Sequence, residues 1–273
     1  MNLYIDFGGT NFRYQMNDSK IKTLKSDKLD LKEFLDKIIK KHSDISFIGI
    51  SFAGQVQNGQ IISSPNAHTQ NFDVKKYIKE KYNITLNIDN DLNCAALAEH
   101  DYLQVSSLAV FYIGTGFGSA FIDNNSLVTG ANNKSGEIGH IPFKKSPFKC
   151  GCGRDDCLEL YTSGSGIIKW CDYFNIDTKY QRVDLLEKLD NYKARIIIDN
   201  FYLALAHAFH TSLNLFDFNH LVLGGSVGQN ENIKNFLEKQ FSKSSFQRDS
   251  LTITLSQLNE GSLQGAKLLY KNN

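Results

Sequence analysis

A chain of 273 residues exceeds the roughly 100 to 200 of a typical domain, so two lobes or one large α/β domain are expected. With 30 basic and 29 acidic residues and a formal net charge of +1, nothing draws the chain to nucleic acid or to an anionic membrane surface, and a small molecule is the expected partner. The first residues lack a basic region followed by an apolar one, and no stretch approaches the ~18 uncharged apolar residues of a membrane span, so a cytoplasmic location is expected.

Leu3 to Asp6 and Phe12 to Met16, separated by FGGTN, predict a β-hairpin with a glycine turn. From Asp30, DLKEFLDKIIKKH places Leu31, Phe34, Leu35, Ile38 and Ile39 at helical spacing with the lysines on the solvated face. ISFIGISFAG then reads as a buried strand ending in glycine. FDVKKYIKEKY predicts a helix, ITLNID a strand, and NDLNCAALAEH a helix opened by an Asn/Asp cap, which puts Asp91 at a strand-to-helix junction. SLAVFYIGTGFGSAFID repeats strand, glycine turn and strand. The expected division is therefore a small N-terminal α/β lobe over 1–105 and a larger C-terminal α/β lobe over 106–273, the latter carrying a loop at 140–157. Lys193 to Leu215 predict a long core helix, followed by the strand HLVLGG and alternating helical and strand segments.

DFGGTNFR places Asp6 just before Gly8, Gly9 and Thr10. Adjacent glycines let a backbone approach a ligand, and their N–H groups with the Thr10 hydroxyl can cradle phosphate, although an ordinary hairpin fits the string equally well. Asp6 could then orient Mg²⁺ through water. A second such turn, Gly114-Thr115-Gly116, shifts the balance toward two lobes holding one polyphosphate between them. Neither turn is followed by Gly-Lys-Ser/Thr or opens a helix in GxGxxG form, which excludes the P-loop and dinucleotide readings. In LVLGGSV, Gly224 and Gly225 end a strand where a flat adenine or ribose could lie on bare backbone, or where the chain merely turns.

Five cysteines are an odd number and clustered, which suits a reducing compartment and metal binding rather than a disulfide framework. Cys150, Cys152 and Cys157 with His140 supply three thiolates and an imidazole, the ligand set of a structural zinc site. Cys150 and Cys152 are separated by a single residue, so they do not form a redox CxxC. Cys94 and Cys171 are expected to be small buried apolar residues.

DFGGTNFR, NDLNCAALAE, GTGFGSAF, GANNKSGEIGH, CGCGRDDCLE, LVLGGSV and GSLQGAKLL occur in one order over nearly the whole chain. In that order the chain resembles the ROK family of sugar kinases and sugar-responsive repressors. The resemblance implies an α/β, two-lobed actin-like ATPase (ribonuclease H-like) fold with ATP in a cleft between lobes and a hexose as phosphoryl acceptor. It implies Asp91 as the base that takes the proton of the sugar hydroxyl, with a helix cap as the plainer alternative, and Asn90 as a sugar contact. Glu137, His140 and Glu159 fall on the family's sugar-contact positions, as do Gly54 and Asn66. Zinc would tie the loop so that His140 and Glu159 face the sugar, and the second imidazole nitrogen of His140 could donate to a hydroxyl. The chain departs from the pattern at Ala53, where a proline is usual, at Asp156, where a glycine is usual, and in lacking a tryptophan after Pro65-Asn66.

The expected function is an ATP- and Mg²⁺-dependent kinase for the 6-hydroxyl of a hexose, glucose first, with fructose, mannose, allose and N-acetylmannosamine open. The family's repressors carry an N-terminal helix-turn-helix, whereas this sequence opens on the phosphate hairpin. Kinship implies a homodimer.

Overall fold

The structure, a computed structural model, describes residues 1–27, 29–64, 71–243 and 250–271. The chain forms two units, one from Met1–Gln104, Thr129–Ser135 and Leu258–Asn273, the other from Val105–Val128 and Gly136–Gln257.

In the first unit the expected hairpin forms β1 (Asn2–Phe7) and β2 (Asn11–Met16), followed by β3 (Lys22–Lys25). Helix α1 (Leu31–Lys41) starts where Asp30 accepts from the Glu33 N–H, and it buries Leu31, Leu35 and Ile39 at four-residue spacing. Next come β4 (Phe47–Phe52), the short β5 (Gln55–Gln57), β6 (Gln60–Ser63) and β7 (Phe72–Asp73), then α2 (Val74–Tyr82), β8 (Thr85–Asn90) and α3 (Asp91–Leu103). The main sheet runs β3-β2-β1-β4-β8, antiparallel through the hairpin and parallel from β1 across β4 to β8. All of β4 is buried, as a strand covered on both faces must be, which explains its unbroken apolar run. Edge-on contacts of Phe7 with Phe12 and Phe52, at 5.2 and 5.5 Å between ring centroids, anchor the hairpin to that strand.

The second unit repeats this order. Strands β9 (Leu108–Ile113), β10 (Phe117–Asp123), β11 (Ser126–Leu127), β12 (His220–Gly224) and β13 (Thr252–Leu255) form the sheet β11-β10-β9-β12-β13. It is again antiparallel on the hairpin side and parallel from β9 through β12 to β13. Its helices are α4 (Glu159–Thr162), α5 (Gly164–Tyr173), α6 (Val183–Leu186), α7 (Tyr192–Phe216), α8 (Gly225–Gly228) and α9 (Glu231–Phe241). The long helix expected from Lys193 is α7, capped by Asn191 and buried through Ala194, Ile197, Phe201, Ala204, Leu205, Ala208 and Phe209.

Two segments that the sequence places with the second lobe belong to the first unit. The last helix, α10 (Gly261–Leu268), packs along α3 and over β4. A Cβ on Gly265 would stand 1.8 Å from the Cys94 carbonyl oxygen, and one on Gly49 would stand 2.1 Å from that of Ala266, so bare glycine backbone makes this approach possible. Residues 129–135 are held by Asn133, which donates to the Val56 carbonyl at 3.0 Å and to Asp89 at 2.9 Å. No helix among the described residues is long and apolar enough to cross a membrane.

Candidate functional site

The hairpin register pairs Asp6 with Arg13, so their side chains share one face of the first unit's sheet. Arg13 bonds Asp6 Oδ2 at 3.1 Å and Glu260 at 2.9 Å, while the Ser51 hydroxyl donates to Asp6 Oδ1 at 3.2 Å. Burial raises the Asp6 carboxyl above its usual range, against the pull of Arg13. Gly8 N–H closes the turn onto the Asn11 carbonyl at 3.0 Å, which leaves Gly9 and Thr10 exposed at the tip.

Strand β8 passes into α3 without a loop. The cap of α3 is Asn90 rather than Asp91: its side-chain oxygen accepts the Leu92 N–H at 2.8 Å, and its Nδ2 donates to the Gly54 carbonyl at 3.0 Å. The amide of Asn90 is thus engaged within the protein at both ends. Gly54 has its own packing reason, because a Cβ there would lie 2.4 Å from the Ser63 carbonyl oxygen. Asp91, in the first turn, is pushed up to about 6, by burial first and then by the charge of Asp6. A carboxylate poised there suits proton abstraction near neutral pH. Asn66 lies outside the described residues.

Sequence reasoning missed Asp89. Its Oδ1 accepts from Asn90 N–H at 2.7 Å, Asn93 Nδ2 at 2.8 Å and Asn133 Nδ2 at 2.9 Å, fixing the turn into α3 beside Asp91. The acid just before Asn90 was a visible signal, but its partner Asn133 lies far along the chain.

In the second unit Gly114-Thr115-Gly116 forms the turn between β9 and β10, closed by Gly114 N–H on the Gly116 carbonyl at 2.9 Å. Gly114 and Thr115 line a cavity of about 740 Å³ together with Ser165, Ile168, Arg182 and Ser226. Gly224 and Gly225 serve packing on β9: a Cβ on Gly224 would meet the Tyr112 ring at 2.6 Å, and Gly225, at φ +81°, would bring one to 2.4 Å from the Ile113 carbonyl oxygen. The cavity wall beyond them is Ser226 and Val227.

His140, Cys150, Cys152 and Cys157 converge in this unit, with their ligand atoms all within 4.8 Å of one another. Cys150 Sγ stands 3.5 Å from His140 Nδ1, and the Cys152 and Cys157 sulfurs are 3.4 Å apart. A tetrahedral zinc with bonds of about 2.0 to 2.3 Å spaces its ligands by roughly 3.5 Å, so the residues fit that ion. Burial pushes the Cys150 thiol up to about 11 and raises that of Cys157 as well. The loop is closed by short backbone bonds, Phe143 to Asp156, Ser146 to Asp155 and Cys150 to Arg154, each 2.7 Å. Asp156, where the family has glycine, pairs with Arg154 at 2.9 Å and is not among the converging ligands. The other imidazole nitrogen, His140 Nε2, lies 3.8 Å from Glu137, whose carboxylate is exposed. Glu159 is engaged: Oε2 accepts the Phe117 N–H at 3.0 Å, and Oε1 lies 3.3 Å from Cys150 Sγ.

Residues 3–273 match the ROK family over nearly the whole chain. The chain belongs to the ROK family. An N-acetyl-D-glucosamine kinase of Photobacterium profundum is 27% identical to this ROK protein over 266 residues, covering 87% of this chain and 88% of that one. A xylose repressor of Bacillus spizizenii is 30% identical over 184 residues, 66% of this chain and 48% of the repressor, so the match spans about half the length of that relative. Among solved structures, a ROK hexokinase from Thermus thermophilus superposes with a TM-score of 0.81 at 22% identity, covering 99% of both chains. A ROK family glucokinase from Streptomyces griseus in complex with glucose and AMPPNP gives 0.74 at 19% identity, over 100% of this chain and 99% of that one. At these identities the likeness is one of fold, and the actin-like ATPase fold expected from the motifs is the fold of this ROK protein.

Proposed function

We propose that this ROK protein is an ATP-dependent sugar kinase that transfers the γ-phosphate to the 6-hydroxyl of a hexose, with glucose the first candidate and N-acetylglucosamine, the substrate in the name of the Photobacterium relative, the second. Fructose, mannose, allose and N-acetylmannosamine complete the set of acceptors to be tested. The observation that carries the reading is Asp91: a carboxyl in the first turn of α3, raised to about 6, able to take a hydroxyl proton while the oxygen attacks the γ-phosphorus and ADP leaves.

The remaining roles follow from the groups available. Gly9, Thr10 and the turn at Gly114-Thr115-Gly116 offer backbone N–H and hydroxyl donors to phosphate oxygens. The cavity of about 740 Å³ beside the second turn accepts the nucleoside. Asp6, raised by burial and itself raising the carboxyl of Asp91, would hold Mg²⁺ through water. When bound, Mg²⁺ neutralises phosphate charge. His140 Nε2, Glu137 and Glu159 supply donors and acceptors for sugar hydroxyls, and Cys150, Cys152, Cys157 and His140 Nδ1 would hold a structural zinc that orients them.

ADP release from Mg·ATP by the zinc-replete protein, measured against the sugar panel, tests the proposal. Sugar-dependent turnover is expected, and Asp91→Asn should lower kcat by at least about 100-fold while sugar binding persists. A folded protein that binds a sugar yet releases no ADP with any of them would instead support a sugar-responsive regulator, the reading favoured by the likeness to xylose repressors.

A further inference from the structure

The segment from Cys157 to Ser165 begins at a metal ligand and ends on the glycine turn of the second unit. Along it, Glu159 Oε2 accepts the Phe117 N–H at 3.0 Å, Gly164 N–H donates to the Gly114 carbonyl at 2.7 Å, and Ser165 N–H donates to that of Thr115 at 3.3 Å. Gly116 lets this happen, since a Cβ there would stand 2.7 Å from Glu159 Oε2. On the other arm of the loop Gly139, next to His140, lies so near Phe117 that a Cβ would be 2.3 Å from its carbonyl oxygen. The second oxygen of Glu159 is 3.3 Å from the sulfur of a third ligand, Cys150. Both arms of the metal loop therefore grip the turn at 114–117.

Anion-binding N–H groups are effective when their directions are set before the ligand arrives. Between the cysteines the loop has little packing of its own: a Cβ at Gly151 or at Gly153 would meet nothing within 4 Å. Backbone bonds such as Phe143 to Asp156 and Cys150 to Arg154 close the loop, and metal bonds from His140 to the three cysteines would add the side-chain cross-link between its arms. We propose that the metal site is a clasp on the phosphate-binding turn, with Glu159 as the positioning residue, so that zinc occupancy sets nucleotide affinity as well as the form of the sugar site. The nucleotide half of this inference rests on the kinase reading above.

The test compares zinc-replete protein, chelator-stripped protein, and zinc-replete Glu159→Ala and Glu159→Gln. Two quantities are read without sugar: hydrogen exchange of the Phe117 amide and the Kd for Mg·AMPPNP. Stripping and Glu159→Ala should each lower Phe117 protection and weaken AMPPNP binding by about tenfold or more, the usual effect of losing a group that supports a metal ligand. Glu159→Ala should do so with zinc still bound, which separates the clasp from general unfolding. Glu159→Gln, whose amide oxygen can still accept the Phe117 N–H, should recover most of both. Unchanged Phe117 protection in the stripped protein and in Glu159→Ala overturns the clasp. Reduced protection with unchanged AMPPNP affinity overturns the coupling to nucleotide. Failure of the zinc-replete wild type to bind AMPPNP at all overturns the kinase reading itself.

Discussion

Two adjacent polar side chains open α3: Asn90 accepts the Leu92 N–H at 2.8 Å, and Asp91 Oδ1 shares that N–H at 3.0 Å, so the carboxyl proposed as the base is held by the helix end it opens. The environment that makes Asp91 useful also makes it costly. Its folded value of about 6 lies above the ordinary value of 3.8, so the folded state favours the protonated form. Stability from this group is fully present below the ordinary value and is lost as pH rises through about 6. Asp91→Asn carries no such loss. The variant should match the wild type in thermal unfolding near pH 4 and exceed it at pH 7.5, by at most about 3 kcal/mol. A gap that does not widen with pH would show that Asp91 is not perturbed. In turnover, the same carboxyl should give an acid limb near pH 6, and Asp6→Asn, which removes the neighbouring charge, should move that limb to lower pH.

At the scale of elements, periodicity was a good guide where elements are long or flanked by clear signals. The hairpin β1–β2, helix α1, the β8–α3 junction and the long α7 all lie where residue spacing puts them. The sheet β5-β6-β7 was invisible because strands of three, four and two residues are too short to show alternation. The convergence of His140, Cys150, Cys152 and Cys157 was legible because they lie close in sequence and their residue types have few other uses together. Asp89 with Asn133, and Glu159 with Phe117, were not, since each pair joins groups more than forty residues apart. The packing of α10 on α3 was equally hidden, although Gly265 makes it possible. Gly265→Ala must push α10 away from the Cys94 carbonyl, which lies one turn along α3 from Asp91. A loss of about 1 to 3 kcal/mol in urea unfolding is expected, together with a lower kcat. Wild-type stability in this variant would mean that the two helices do not approach as described.

On the scale of the whole molecule, the two units share one strand order, yet only the second has all its sheet and helices inside a single stretch broken once. The first takes back α10 after the second unit is complete, a discontinuity that reading along the chain could not reveal because α10 follows β13 without any change of composition. This arrangement makes the first unit dependent on the end of the chain. Leu263 and Leu269 are buried, and Leu269 covers Phe47 and Cys94, with Tyr270 against Phe47 at 5.0 Å between ring centroids. Fully burying a leucine contributes about 1.5 to 3 kcal/mol, so removing both approaches the whole stability of a marginal domain. The chain's single tryptophan, Trp170, sits in the second unit against Phe148, Tyr161 and Phe174, and reports that unit alone. Deleting residues 258–273 should therefore split urea unfolding into two phases. Far-UV circular dichroism should begin to fall at low urea as the first unit melts, while the Trp170 fluorescence midpoint stays where it is in the full chain. A Trp170 midpoint that drops together with the dichroism would show that the second unit also relies on α10, and that its own core of α5, α7 and sheet is insufficient to hold it.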